Sequence, residues 1–192
     1  MIKTSLLVLF VCALFACSHP HYTDPHIIIK TNFGDIEAEL YPGKAPKTVA
    51  AFLSYIDAGY FNNSSFYRVV KDEDLAGSNY GLIQGGVWQT NNKLQVPGIP
   101  HETTKQSGLS HTNGTLSLAR TTPGSASTEF FICIGNEAQF DFGNEGVSDG
   151  QGYSAFGKVV EGMDVVKEIQ KQPSNGENFK EKVTIEKISK LN

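Results

Sequence analysis

Few of the side chains able to do chemistry are spaced for it in this chain. His19, His21 and His26 stand close together, and imidazole is a common metal ligand. They lie in or beside the polar, proline-containing stretch Ser18 to Pro25. Nothing there fixes ligand geometry, so the stretch reads as a solvated linker and no metal site is expected. His101-Glu102-Thr103-Thr104-Lys105 lacks the second histidine of a zinc-protease helix. Ser110-His111 sets a serine beside a histidine, but a nucleophilic triad is assembled in space, not in sequence. Cys133 stands in an apolar run and reads as a buried, inert thiol. No phosphate loop or dinucleotide fingerprint occurs, so no cofactor is expected. Taken singly, Arg68 reads as a solvated or ion-paired cation and Phe131 as core. Gln84-Gly85-Gly86 reads as a strand end with a bulge.

The start of the chain follows a different logic. Met1 to Thr4 carries one positive charge, at Lys3, and Leu6 to Phe15 is almost wholly apolar. That run is too short to span a bilayer as a mature helix and reads as a secretory signal. It ends in Leu14-Phe15-Ala16-Cys17, which resembles the lipobox of bacterial lipoproteins. The resemblance implies cleavage before Cys17 and lipid on that cysteine. Several acyl chains would hold the protein firmly, since one alone is marginal. The expected organisation is a signal over 1–16, a lipidated tether over 17–25 and one domain over 26–192. The expected location is the periplasmic face of the bacterial envelope. By resemblance to lipoprotein sorting, Ser18 favours the outer membrane.

Removing 1–16 leaves 176 residues with 15 basic and 20 acidic side chains, a net of −5. That is enough chain for one core. The acidic balance argues against nucleic acid, which needs a basic face. With Cys12 lost and Cys17 lipidated, Cys133 has no disulfide partner. The protein is expected to be a monomer.

The elements that must position any site are mostly strands. Ile27 to Thr31 and Ile36 to Leu40 flank a turn at Asn32-Phe33-Gly34-Asp35, a hairpin pattern. Pro46 opens a helix whose Val49, Phe52, Leu53 and Ile56 form one apolar stripe, and Gly59 stops it. Strands follow at 65–70, 82–87, 115–119, 130–134, 154–160 and 182–189, with a second short helix at 162–170. Long Gly-, Ser- and Asn-rich loops cover 91–113 and 135–152. The pattern gives a mostly-β domain with eight strands and two helices. A closed barrel is one solution, because closure removes exposed edges. Side chains fill a barrel of about eight strands, so a site belongs on the outer wall or in the loops.

Five segments occur in a telling order: Phe66-Tyr67-Arg68-Val69-Val70, Ile83-Gln84-Gly85-Gly86, Gly114 to Arg120, Ser127 to Ile132 and Tyr153 to Val159. Together they resemble the cyclophilin family of peptidyl-prolyl isomerases, from about Ile27 to the C-terminus. The resemblance implies an eight-stranded antiparallel closed barrel capped by two α-helices. It also implies a proline-containing peptide as substrate. It makes Arg68, Gln84 and Phe131 the catalytic set: the cation, its brace and the aromatic floor of the proline pocket. Leu82 becomes an apolar wall, Ala119 and Arg120 a segment whose backbone meets the peptide, and Tyr153 the rim.

The sequence departs from the family at several points. Lys71 to Tyr80 is an insertion, and Gly81 replaces an aromatic residue. One pocket wall is therefore missing or supplied by Tyr80. Glu129, expected at the substrate, replaces a common glutamine and either dulls Arg68 or holds it. Arg120 replaces a common asparagine. The lid region is Gln139-Phe140-Asp141-Phe142, which offers Phe140 or Phe142. These departures keep open a second reading, a proline-peptide-binding module or chaperone with little isomerase activity.

Overall fold

A computed structural model describes residues 23–73, 79–91 and 93–191. The signal and Cys17 lie outside the described residues, as does 74–78 of the insertion. The first hairpin pairs β1, His26–Thr31, with β2, Gly34–Leu40. Its turn is closed by the Thr31 hydroxyl, which donates to Gly34 O at 2.7 Å and accepts from Phe33 N at 3.1 Å. His26 belongs to β1 and not to a solvated linker: it is buried, with Nδ1 2.7 Å from Glu37 Oε1.

The remaining strands are β3 (Ser64–Glu73), β4 (Asn79–Gly86), β5 (Thr115–Leu118), β6 (Phe130–Ile134), β7 (Ser154–Glu161), β8 (Ser174–Asn175) and β9 (Asn178–Leu191). Every pairing is antiparallel. The order is β1-β2-β7-β5-β6-β4-β3-β9, and β9 pairs back onto β1, closing an eight-stranded barrel with β8 outside it. The helices are α1 (Pro46–Asp57), α2 (Thr104–Ser107) and α3 (Met163–Gln170).

Alternation along the strands separates two apolar clusters. The barrel interior holds Ile27, Ile29, Ile36, Leu40, Leu116, Phe130, Ile132 and Ile134, among others. Helix α1 joins it through Val49, Phe52 and Ile56. Leu53, at the edge of that stripe, is only partly buried. Phe52 meets Phe61, Phe130 and Phe156 at centroid distances of 4.9–5.5 Å. Burying one such ring stabilises by about 1.5–3 kcal/mol. The intervening residues of β6, Phe131 and Cys133, point the other way. They form a second cluster with Leu82, against which Val70, Ala119, Phe140 and Tyr153 pack. This cluster lies on the outer wall of the barrel.

The insertion lengthens a hairpin. β3 and β4 stay in register from Arg68↔Gln84 to Glu73↔Asn79. Gly81 adopts φ 123°, and a Cβ there would sit 2.2 Å from Val70 O. Its N–H donates to Glu137 Oε1 at 2.6 Å. Gln170 of α3 donates from Nε2 to Val70 O and Tyr80 O at 3.1 and 3.0 Å. Backbone geometry therefore requires glycine here.

Candidate active site

Strand register builds the site. Arg68 pairs with Gln84, Gln84 with Phe131, and Phe131 with Ser117, so one row crosses β3, β4, β6 and β5. Cross-strand partners share a face, which brings cation, amide and ring together. A register shift between Phe66 and Arg68 leaves Tyr67 as an extra residue on β3. Bulges of this kind re-aim side chains. Here Tyr67 and Arg68 both reach Gln84. Arg68 Nη1 donates to Gln84 Oε1 at 2.7 Å, and Gln84 Nε2 donates to the Tyr67 hydroxyl at 2.9 Å.

The row opens on a pocket of about 300 Å³ lined by Arg68, Val70, Leu82, Gln84, Ala119, Arg120, Phe131, Phe140, Gly146 and Tyr153. Phe131, Phe140 and Tyr153 meet edge to face in all three pairings, with centroids 5.3–5.9 Å apart. Such edge contacts suit the ring quadrupole. Phe140 is the lid-region aromatic at the pocket. Phe142 lies instead under the Lys105 ammonium, 5.3 Å from the ring centroid. Tyr80 does not line the pocket; Val70 and Gly146 supply wall in addition to the expected residues.

The floor is braced from behind. His111, fully buried, stacks on Phe131 at 5.9 Å and 15°. Burial holds its pKa below the ordinary imidazole value, against the pull of Asp141. A neutral ring facing a carboxylate at Nδ1, 2.6 Å away, keeps its proton there. Nε2 then accepts from the Ser117 hydroxyl at 2.9 Å. Ser117, His111 and Asp141 thus line up like a nucleophilic triad. Ser117 and His111 are sealed at 0 % exposure, so the set supports Phe131 and has no access to substrate. Cys133 beside it is also buried, and its thiol pKa is pushed well up by desolvation.

Arg120 spends its guanidinium on the rim. Nη1 and Nη2 donate to the two Asp149 oxygens at 2.7 and 2.9 Å, and Nε donates to Gly152 O at 3.0 Å. Its Cζ lies 5.3 Å from the Tyr153 ring centroid. The arginine hydrogen bond holds the Asp149 pKa down to about 2. Arg120 therefore fixes the loop before β7 and the Tyr153 ring. Ala119 N–H donates to Glu129 O at 2.9 Å.

Glu129 falls outside the pocket lining and does not touch Arg68. Its carboxylate accepts from Val87 N and Trp88 N, both at 2.9 Å, from the Thr128 hydroxyl at 3.1 Å and from the Tyr67 hydroxyl at 2.6 Å. Burial raises its pKa, and these four donors oppose the rise. Gly86 makes the room: a Cβ there would lie 2.5 Å from Glu129 Oε1. The acid that does reach Arg68 is Glu177, between β8 and β9. Its Oε2 accepts from Nε at 2.8 Å and lies 2.7 Å from Nη2 as an ion pair, and its carbonyl accepts from Val69 N at 2.7 Å.

Comparison with known proteins agrees with this fold. The profile of the family described as "Cyclophilin type peptidyl-prolyl cis-trans isomerase/CLD" matches residues 26–190. A peptidyl-prolyl cis-trans isomerase of Acinetobacter baylyi is 41% identical over 148 residues, 77% of this chain and 72% of the relative. Peptidyl-prolyl cis-trans isomerase B of Escherichia coli is 38% identical over 145 residues, 75% of this chain and 83% of the relative. A crystal structure of a cyclophilin-type isomerase from Cryptosporidium parvum superposes with a TM-score of 0.71 at 23% identity. It covers 88% of this chain and 98% of that one. A second structure of that protein, obtained in the presence of the dipeptide Ala-Pro, gives a TM-score of 0.68 at 24% identity, covering 85% of this chain and 96% of that one. With the profile spanning nearly the whole described domain, and relatives this similar, the chain belongs to the cyclophilin-type peptidyl-prolyl cis-trans isomerase family.

Proposed function

We propose that the outer-wall pocket seats the proline ring of a peptide and that Arg68 stabilises the twisted X-Pro bond. The observation that carries this is the Arg68–Gln84–Phe131 row, which puts a fixed cation beside an aromatic floor. An amide resists rotation with a barrier of roughly 18–20 kcal/mol. Twisting it ends the resonance and leaves a lone pair on the proline nitrogen. No bond is made or broken, so the enzyme need only bind the twisted state better than either planar one. A guanidinium has five N–H donors and cannot lose its proton. Hydrogen bonds to Gln84 and Glu177 occupy two of them, on Nη1 and Nε, which leaves donors on both terminal nitrogens for the substrate. A preorganised donor in a partly dry site is worth far more than in water. Phe131, Leu82, Phe140 and Tyr153 hold the ring. A structural relative of this fold has been crystallised in the presence of Ala-Pro, a dipeptide of the class this pocket suits.

The test is isomerisation of a short X-Pro peptide. Arg68→Ala is expected to lower the rate on the order of 100-fold, as loss of one transition-state donor does. A native rate no faster than the uncatalysed one would return the binding-module reading.

The lipobox-like Leu14-Phe15-Ala16-Cys17 supports a lipid-anchored enzyme of the bacterial envelope, assisting exported or envelope proteins as they fold. The tether to β1 is short: His26 opens the barrel only a few residues after Cys17. Ser18 favours the outer membrane. Labelled fatty acid should enter the native protein and not Cys17→Ala, which should also leave the membrane fraction. An unlabelled native protein would refute the anchor.

A further inference from the structure

Arg68 is held on one side by a chain of hydrogen bonds that has a direction. A carboxylate only accepts. Glu129 already accepts from Val87 N, Trp88 N and Thr128, so the Tyr67 hydroxyl must give it its one proton, at 2.6 Å. The Tyr67 oxygen can then only accept from Gln84, and it does, from Nε2 at 2.9 Å. The Gln84 amide is thereby turned with Oε1 towards Arg68, where it accepts from Nη1 at 2.7 Å. Without that direction, the amide could present its NH₂ group to the cation, donor against donor. Tyr67 is buried at 6 % exposure, so water does not readily substitute in the chain.

We propose that Glu129 is a positioning residue for the isomerase: it sets the direction of the Tyr67–Gln84 hydrogen-bond chain and so fixes the Arg68 guanidinium from outside the pocket. The proposal rests on Arg68 being the catalytic cation. It gives the acid a role that requires no contact with substrate.

Glutamine at this position would keep the shape and lose the direction. Its Oε1 would serve Val87 N and Trp88 N, which need an acceptor. Its NH₂ would then face Tyr67, leaving the hydroxyl proton without its acceptor. That proton would compete for Gln84 Oε1, and the brace on Arg68 would weaken. Peptide seating on Phe131, Leu82 and Tyr153 would not change.

The experiment is a double-mutant cycle on the full chain, read by isomerisation kinetics with an X-Pro peptide. Glu129→Gln is expected to lower kcat about 3- to 10-fold with KM within about twofold, the pattern of a group felt mainly in the transition state. Tyr67→Phe, which cuts the chain, should do the same. In the Tyr67→Phe background, Glu129→Gln should have no further effect on kcat, because the coupling runs through the hydroxyl. An unchanged kcat in Glu129→Gln overturns the proposal. So does an equal further drop in the Tyr67→Phe background, which would make Glu129 only a tie for the end of β4. Should Glu129→Gln fail to fold, Tyr67→Phe alone decides, and a native kcat there overturns the proposal. Arg68→Ala separates the two levels. Native kcat in that variant sinks the assignment of Arg68 itself, whereas loss there with a silent Glu129→Gln sinks only the chain.

Discussion

Glu177 and Gln84 grip the Arg68 guanidinium on different nitrogens. The Glu177 pair is more than half exposed on the acid's side, and exposed ion pairs are worth about 0–1 kcal/mol. Its effect belongs to geometry more than to stability. Glu177→Ala should leave the melting temperature nearly unchanged and lower kcat about 2- to 5-fold, because a freed guanidinium spends less time aimed at the pocket. A large loss of stability with unchanged kcat would contradict this. At this scale the sequence was partly legible. The resemblance pointed to Arg68, Gln84, Phe131, Leu82, Ala119, Arg120 and Tyr153 and, in the lid region, to Phe140 or Phe142; of these, all but Phe142 line one pocket. Glu129 was expected at the substrate and lies outside the pocket lining, because its acceptors are used by the end of β4 and by Tyr67. Glu177 was not singled out. Its contact with Arg68 spans 109 positions of chain, and no local pattern records such an approach.

Elements carry the site through register, and the clearest case is the β3–β4 hairpin. The absent aromatic at Gly81 suggested a missing pocket wall. Gly81 serves the backbone instead: its positive φ and its closeness to Val70 O exclude any side chain. Gly81→Phe would therefore not rebuild a wall. We expect it to destabilise the fold by about 1–3 kcal/mol or more, the cost of strain at such a position. Denaturant unfolding measures this, and a variant as stable as the native protein would contradict it. Two short elements fall outside the eight strands and two helices of the sequence pattern. Helix α2 is capped by Thr103 and Gln106 in a reciprocal box, a signal that is local in sequence but supports only one turn. Strand β8 has only two residues and pairs with β9 across the turn that carries Glu177, too short for periodicity to reveal. By contrast, the first hairpin and the α1 stripe were readable because their contacts are local.

Across the whole molecule, one wall separates a sealed interior from a working surface, and β6 serves both. Phe130, Ile132 and Ile134 fill the barrel while Phe131 and Cys133 face the site. The eight-stranded closure was legible because the family segments cover nearly the whole domain; the ninth strand lies outside it. The buried His111 ties stability to pH. Its folded pKa is lowered from 6.5, so the unfolded chain binds the proton first. The stability it contributes is complete above about pH 6.5 and declines as pH falls towards the folded value. Glu129 and Glu137, whose pKa values are raised by burial, act in the opposite sense, losing stability as pH rises through those values. His111→Gln should therefore flatten the fall in melting temperature below pH 6.5 relative to the native protein; an unchanged slope would contradict the buried neutral imidazole. The central claim concerns Arg68, and exchange spectroscopy on an X-Pro peptide with catalytic amounts of enzyme tests it most directly. The native protein should bring the cis and trans signals into rapid exchange. Arg68→Ala should still broaden the peptide signals by binding while leaving exchange near the uncatalysed rate. Exchange at the native rate with Arg68→Ala would contradict the account.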